Sequence, residues 1–189
     1  MEESYEDLLG KIKAPRKNSH LIGAANERAL VKKLRKWAGI DFARVPSSGG
    51  LRWKDGQNIV GDLVCPDINA VFPFSVETKH YAKVTCVVKE GLLVPTCTMY
   101  KIWEQAKRDA ARENKIPICF IKVGKQKGWS IYLASRDMMR LHIYLEGVAY
   151  YRQKPWDSCN GFGVFSSVDL FKIPFQEIIA AYEINYSHE

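Results

Sequence analysis

No apolar run in the chain approaches the ~18 residues that a membrane span requires, so a transmembrane anchor is not expected. The first twenty residues, MEESYEDLLGKIKAPRKNSH, turn from acidic to basic without an apolar centre, which argues against a secretory leader. Cysteine is scarce: Cys65, Cys86, Cys97, Cys119 and Cys159 are odd in number and show no CxxC spacing. That pattern speaks against a disulfide framework or a zinc knuckle and favours reduced thiols in a cytoplasmic protein. No phosphate-cradling GxxxxGK[S/T] loop occurs, so no nucleotide cofactor is expected. Internal repeats and low-complexity tracts are also missing. Histidine is rare, and His20, His142 and His188 have no partners at useful spacing.

What is present is enough for one core: 189 residues, 47% of them apolar. The net charge of +7 is unevenly spread. Residues 1–127 carry 23 basic against 14 acidic side chains, while residues 128–189 carry 5 against 7. A basic excess concentrated in one part of a chain suits a polyanion, nucleic acid above all.

Residues 22–38, IGAANERALVKKLRKWA, read as a helix stopped by Gly39. Projected at about 100° per residue, Leu30, Val31, Leu34, Trp37 and Ala38 form an apolar stripe. Glu27 stands in line with it, and Arg28, Lys32, Lys33, Arg35 and Lys36 fall on the flanks or back. An acid on an apolar stripe is costly unless something pairs with it. Residues 45–58, VPSSGGLRWKDGQN, are turn-rich, and residues 59–65, IVGDLVC, read as a short strand with Val60, Asp62 and Val64 on one face. The next strand is VFPFSVETK, residues 71–79, with Pro73 delaying its pairing. Alternation puts Phe74, Val76 and Thr78 on one side and Ser75, Glu77 and Lys79 on the other. A second helix, residues 99–114, has the core stripe Met99, Ile102, Trp103, Ala106 and Ala110. PICFIKV and WSIYLAS around the turn GKQKG then read as a hairpin, and FQEIIAAYEI reads as a closing helix. This order predicts an α/β fold, a central mixed sheet flanked by helices.

Glu27, Asp62, Glu77 and Lys79 each admit an ordinary account. Glu27 could pair with a basic neighbour, Asp62 after Gly61 could be a turn residue, and Glu77 with Lys79 could be an ion pair on a half-wet sheet. Taken together, they place acids facing inward from a helix and two strands, which calls for neutralisation that a divalent cation supplies. Lys79, one strand step of ~6.6 Å beyond Glu77, reaches the same place. Phosphodiester hydrolysis uses such equipment.

Asp62, then Glu77-Thr78-Lys79 fifteen residues on, with Glu27 on a preceding helix, resembles the PD-(D/E)xK nuclease superfamily. RVPSSGG after the glutamate-bearing helix, and WEQAKRDA followed by IPICFIKV, resemble its Holliday junction resolvase branch of archaeal and bacteriophage type. The resemblance runs from Leu21 to Leu133, with Gly61 in place of the proline of the name. It implies a restriction-endonuclease-like core over residues 21–135, after a flexible basic arm at 1–20 and before a C-terminal extension at 136–189 packed on the core. It implies Asp62 and Glu77 as metal ligands, the Thr78 carbonyl as a further ligand, and Glu27 as a ligand or the holder of a water on the metal. Lys79 would position or activate the attacking water. Mg2+ is the implied cofactor, with Mn2+ able to substitute. DNA contacts are expected from Ser47, Ser48, Arg52 and Lys54 in the loop, Lys32, Lys33 and Lys36 on the helix, and Lys125 and Lys127 in the turn. The implied activity is cleavage of branched DNA, four-way junctions foremost, by a homodimer in the cytoplasm, the host's if the chain is phage-encoded. The alternatives are a related nuclease for restriction, nicking or end processing, and a DNA-binding module without chemistry.

Overall fold

Leu30, Val31 and Leu34 recur at helical spacing and are buried, which fixes the inward face of α1 (Ser19–Ala38). The computed structural model describes residues 19–45, 61–67, 69–81, 98–148, 151–152 and 162–183. Helix α1 starts before the predicted Ile22, and its added first turn is exposed at Leu21 and Ile22, so local propensity rather than burial carries it. Its last turn closes with Gly39 at φ +71°, whose N–H donates to the Arg35 carbonyl at 3.0 Å. Of the arm expected over residues 1–20, residues 1–18 lie outside the described residues, and Ser19 and His20 instead open α1.

Strands β1 (Ala43–Arg44), β2 (Leu63–Val64), β3 (Phe74–Tyr81), β4 (Ile116–Val123), β5 (Ser130–Ala134), β6 (Tyr151–Arg152) and β7 (Phe162–Ser166) form one sheet in the order β1-β2-β3-β4-β5-β7-β6. Only β3 and β4 pair in parallel; every other pair is antiparallel, so the sheet is mixed as expected. The parallel pair is bridged by α2 (Thr98–Arg112), the crossover that such a pair needs. Short helices α3 (Ser135–Met139) and α4 (Ser167–Leu170) follow β5 and β7, and α5 (Phe175–Glu183) closes the described chain.

Two cores follow from strand alternation. Phe74, Val76, Ile118, Phe120, Ile131 and Leu133 pack with Leu30 and Leu34 of α1 and Ile178 and Tyr182 of α5. Cys119, Ile121 and Tyr132 pack with Met99, Ile102, Trp103 and Ala106 of α2. Each fully buried leucine or isoleucine contributes roughly 1.5–3 kcal/mol. All five residues expected in the α2 stripe are buried. Residues after Arg136 supply β7 and α5 to the same core that holds α1. Trp37 meets Phe171 and Phe175 edge-on at 5.4 and 5.1 Å, and its Nε1–H donates to the Ile173 carbonyl at 2.8 Å.

Two boundaries differ from expectation. The strand expected over 59–65 is regular only at Leu63–Val64, because Gly61 bends the chain at φ +85°, and residues 59–60 lie outside the described set. β3 runs from Phe74 to Tyr81 rather than from Val71 to Lys79. It begins just after Pro73, which has no N–H to give a ladder.

Candidate active site

Glu77 and Lys79 point to the α2 side of β3, beside Cys119 and Ile121 of β4 in the pairing register. The neighbouring apolar cover makes Glu77 one of the most deeply buried groups of the protein, at 1% exposure. Asp62, at 3%, is held between β3 and the end of β1: its N–H donates to the Val76 carbonyl at 2.9 Å, and the Val45 N–H donates to its carbonyl at 3.0 Å. One carboxylate oxygen, Oδ2, accepts the Thr78 N–H at 2.9 Å and stands 3.3 Å from Lys79 Nζ. Lys79 Nζ lies 2.5 Å from Glu77 Oε1. One ammonium therefore faces two buried carboxylates.

Gly61 makes this possible. A side chain there would meet the Val76 carbonyl oxygen at 3.0 Å, and φ +85° is closed to proline, whose ring holds φ near −65°. The departure from the proline of the motif name is thus a backbone requirement of this bend.

The electrostatics follow from burial with an unequal count of charges. Desolvation first, then the Asp62 charge, pushes the Glu77 carboxyl up to about 7, against the pull of Lys79. Asp62 is also raised, by desolvation foremost, with Lys79 and the Thr78 N–H opposing and Glu27 reinforcing. Lys79 moves upward because its two carboxylates outweigh its own desolvation. The Cys119 thiol is raised by burial and then by Glu77, so it is an inert core group. Contact with Lys79 leaves the Glu77 carboxylate unsatisfied: neither oxygen makes an aligned hydrogen bond, and Oε2 has no partner among the described residues. A buried carboxylate oxygen left unbonded is expensive in a bare protein. Together with the neighbouring Asp62 carboxylate, whose Oδ2 accepts the Thr78 N–H, it is a donor set that a hard cation fits.

Glu27 arrives differently from expectation. It is half-buried near enough to raise Asp62 electrostatically, but its Oε2 lies 2.5 Å from Arg44 Nε. Among the described residues no group of three or more acidic, histidine or cysteine side chains closes on a single point. Asp62, Glu77 and Lys79 converge, and Glu27 stands beside them in an ion pair with Arg44 while still acting on the Asp62 charge. The Arg44 guanidinium offsets part of the Glu27 charge.

Beneath Thr78 runs a buried relay that joins α1 to the strand. Trp129 Nε1–H donates to Asn26 Oδ1 at 2.8 Å, Asn26 Nδ2–H donates to Thr78 Oγ1 at 2.9 Å, and the Thr78 hydroxyl donates to the Phe120 carbonyl at 2.9 Å. It fixes the helix at the residue before Glu27 and the strand at the residue between Glu77 and Lys79. Sequence reading missed Asn26, Trp129 and Arg44; the one available signal was a second polar side chain beside Glu27 on the helix. Asn26→Leu strands the buried Trp129 N–H, which costs about 1–3 kcal/mol. We expect a melting temperature lower by roughly 2–4 °C per kcal/mol in a domain of this size, partly recovered by Trp129→Phe in the same chain. Wild-type melting of Asn26→Leu would show that this relay holds nothing.

Of the other expected contacts, Ser47, Ser48, Arg52 and Lys54, with Trp53, lie outside the described residues. Lys32, Lys33 and Lys36 are exposed on α1, and Lys125 and Lys127 are exposed in the β4–β5 turn. His80 faces away from Lys79 and its Nε2 lies 3.1 Å from the Gly124 carbonyl oxygen.

A mixed sheet covered by helices on both faces, with Asp62 just before β2 and Glu77-Thr78-Lys79 on β3, defines an α/β protein of restriction-endonuclease-like fold. A family model described as "Phage putative PDDEXK endonuclease" matches residues 18–154, more than half of the chain, and the chain belongs to that family. It is thus a nuclease of the PD-(D/E)xK superfamily, a class generally dependent on divalent metal. Searches of the curated proteins and of the solved structures return no match. No described helix is long and apolar enough to cross a membrane.

Proposed function

We propose that this nuclease is a Mg2+-dependent endodeoxyribonuclease acting on branched DNA, four-way junctions foremost, as a two-fold homodimer in the cytoplasm. Mn2+ is expected to substitute. The observation that carries the chemistry is the buried Glu77 carboxylate beside Asp62, with only one ammonium among the described residues to serve both. Asp62 and Glu77 would hold the cation. The Thr78 carbonyl leaves β3 on the same edge as its N–H, which already faces Asp62, and would add a third oxygen. When bound, the cation acidifies water and offsets charge on phosphoryl oxygens.

The chain's own groups do the rest. Lys79 remains protonated at neutral pH because two carboxylates hold its proton, so it acts as a donor and a positive charge rather than as a base. It orients the attacking water and offsets charge on the phosphate as water adds in line, its proton passing to solvent, and one P–O ester bond breaks, the leaving oxygen taking a proton from solvent. Glu27 and Arg44 set the field at the rim. Two symmetric cuts across a junction require two sites related by a two-fold axis, which a homodimer supplies. The excess of basic residues in 1–127 supplies attraction for the DNA backbone with little sequence dependence.

The test is cleavage of a synthetic four-way junction beside a linear duplex of the same sequence, with and without Mg2+. Symmetric nicks near the crossover, confined to the junction, are expected. Equal cutting of both substrates would replace the junction reading with a related nuclease of restriction, nicking or end-processing type. Asp62→Asn is expected to stop cutting while DNA binding persists or tightens, since a negative charge near the backbone is removed. Wild-type cutting by that variant would overturn the site assignment.

A further inference from the structure

We propose that the groove between α1 and β1 is the track that carries the phosphate backbone of one DNA strand to the candidate active site. This rests on the nuclease reading and adds the path by which substrate reaches it. The groove encloses about 870 Å³ and is walled by Arg28, Lys32, Arg35, Lys36 and Arg44 over a floor containing Val31 and Phe42. Two of its cations are committed. Arg35 donates through Nε and Nη2 to the Phe42 carbonyl at 3.1 and 2.7 Å and pairs with Asp41, which braces the wall. Arg44 pairs with Glu27, so one end of the groove opens on the rim of the site.

Arg28, Lys32 and Lys36 are exposed and make no ion pair with the described residues. They are spaced four residues apart, so they stack on one face of α1 with about 6 Å of rise between neighbours. The floor residues Val31 and Phe42 are buried, and among the described residues no exposed aromatic ring lines the groove to stack on a base, so these residues grip backbone rather than read sequence. Lys33 lies on the same helix but outside the groove lining, and the track excludes it.

Charge count decides the test. Full-length protein carrying Asp62→Asn, which prevents cutting, is compared with the same protein carrying Arg28→Gln, Lys32→Gln and Lys36→Gln. Binding to a labelled four-way junction and to a linear duplex is followed by anisotropy over a salt series. Loss of three phosphate contacts should lower the slope of log affinity against log salt by about two to three and weaken binding to both DNAs. A control with Lys115→Gln, Arg136→Gln and Lys172→Gln removes the same charge elsewhere and should keep the parent slope. Melting temperatures and circular dichroism establish that both variants fold. Equal slopes in parent and groove variant overturn the track while leaving the nuclease reading standing. An equal drop in the control reduces the effect to net charge and overturns it too. Displacement of DNA by polyglutamate as readily as by competitor DNA would likewise reject a backbone-specific groove. If the Asp62→Asn parent binds no DNA at low salt, the nuclease reading itself fails first.

Discussion

Glu77→Gln should cut DNA at least ~10³-fold more slowly than the wild type and yet melt at a higher temperature in metal-free buffer at pH 8. The two effects share one cause. Glu77 is buried, and among the described residues its Oε2 has no hydrogen-bond partner and it shares a single ammonium with Asp62, so the ionised metal-free site carries an excess negative charge. Glutamine keeps the shape, removes that charge, and leaves Asp62 and Lys79 as a balanced pair. The sign with pH is fixed by the raised carboxyl. The folded protein holds the Glu77 proton up to about 7, whereas the unfolded chain releases it near 4.5. The folded state therefore binds more protons between those values. The Glu77 contribution to stability is fully present below the unfolded value and is lost as pH rises through the folded one. The melting curves of wild type and variant should converge below pH 5 and separate by several degrees at pH 8, on the order of a few kcal/mol.

Divalent metal supplies the second half of the experiment. Binding to the native state alone raises wild-type stability by mass action, and more at pH 8 than at pH 6, because the carboxylate must first lose its proton. The variant should gain little at either pH. A Glu77→Gln protein that cleaves at the wild-type rate, or that gains as much from Mg2+, would remove Glu77 from the metal site. A variant that melts with the wild type at every pH would contradict the charge imbalance.

How far this site was legible in the sequence depends on the range of each interaction. Alternation along β3 placed Glu77 and Lys79 on one face, and the structure brings the ammonium within 2.5 Å of the carboxylate. Helical periodicity gave the buried faces of α1 and α2, since both faces are set by residues three and four apart. The Glu27–Arg44 pair was not legible, because a turn and a strand pairing separate its members, and neither the alternation nor the helical period links them. Asn26 and Trp129 stand 103 positions apart, and only the packing of α1 on β3, β4 and β5 brings them together. The same holds for β7, which inserts between β5 and β6, an order that no local pattern specifies. Local chemistry thus announced the carboxylates and the lysine, while the groups that orient them came from tertiary contacts.

Lys79→Met should lower kcat by about 10²–10³ while KM for DNA changes little. Lys79 is the cation shared by Asp62 and Glu77, at 3.3 and 2.5 Å, and the upward pull of both keeps it charged throughout the neutral range. A group that holds its proton so tightly does not abstract one from water, so its loss removes orientation and positive charge at the phosphate, both needed chiefly in the transition state. Methionine keeps most of the stem and deletes the charge. Two buried carboxylates are then left without a counter-ion, which costs the metal-free fold about 1–3 kcal/mol after discounting for the partly exposed ammonium. That cost should shrink as pH falls and Glu77 takes up its proton. The ammonium and a divalent cation compete for the same oxygens, so the variant should also gain more from Mg2+ in a thermal melt than the wild type does. The combination of weaker catalysis with a larger metal response separates this role from a merely structural one, in which both would decline together. A loss confined to KM with kcat preserved would move Lys79 out of the chemical step and into simple attraction of the DNA.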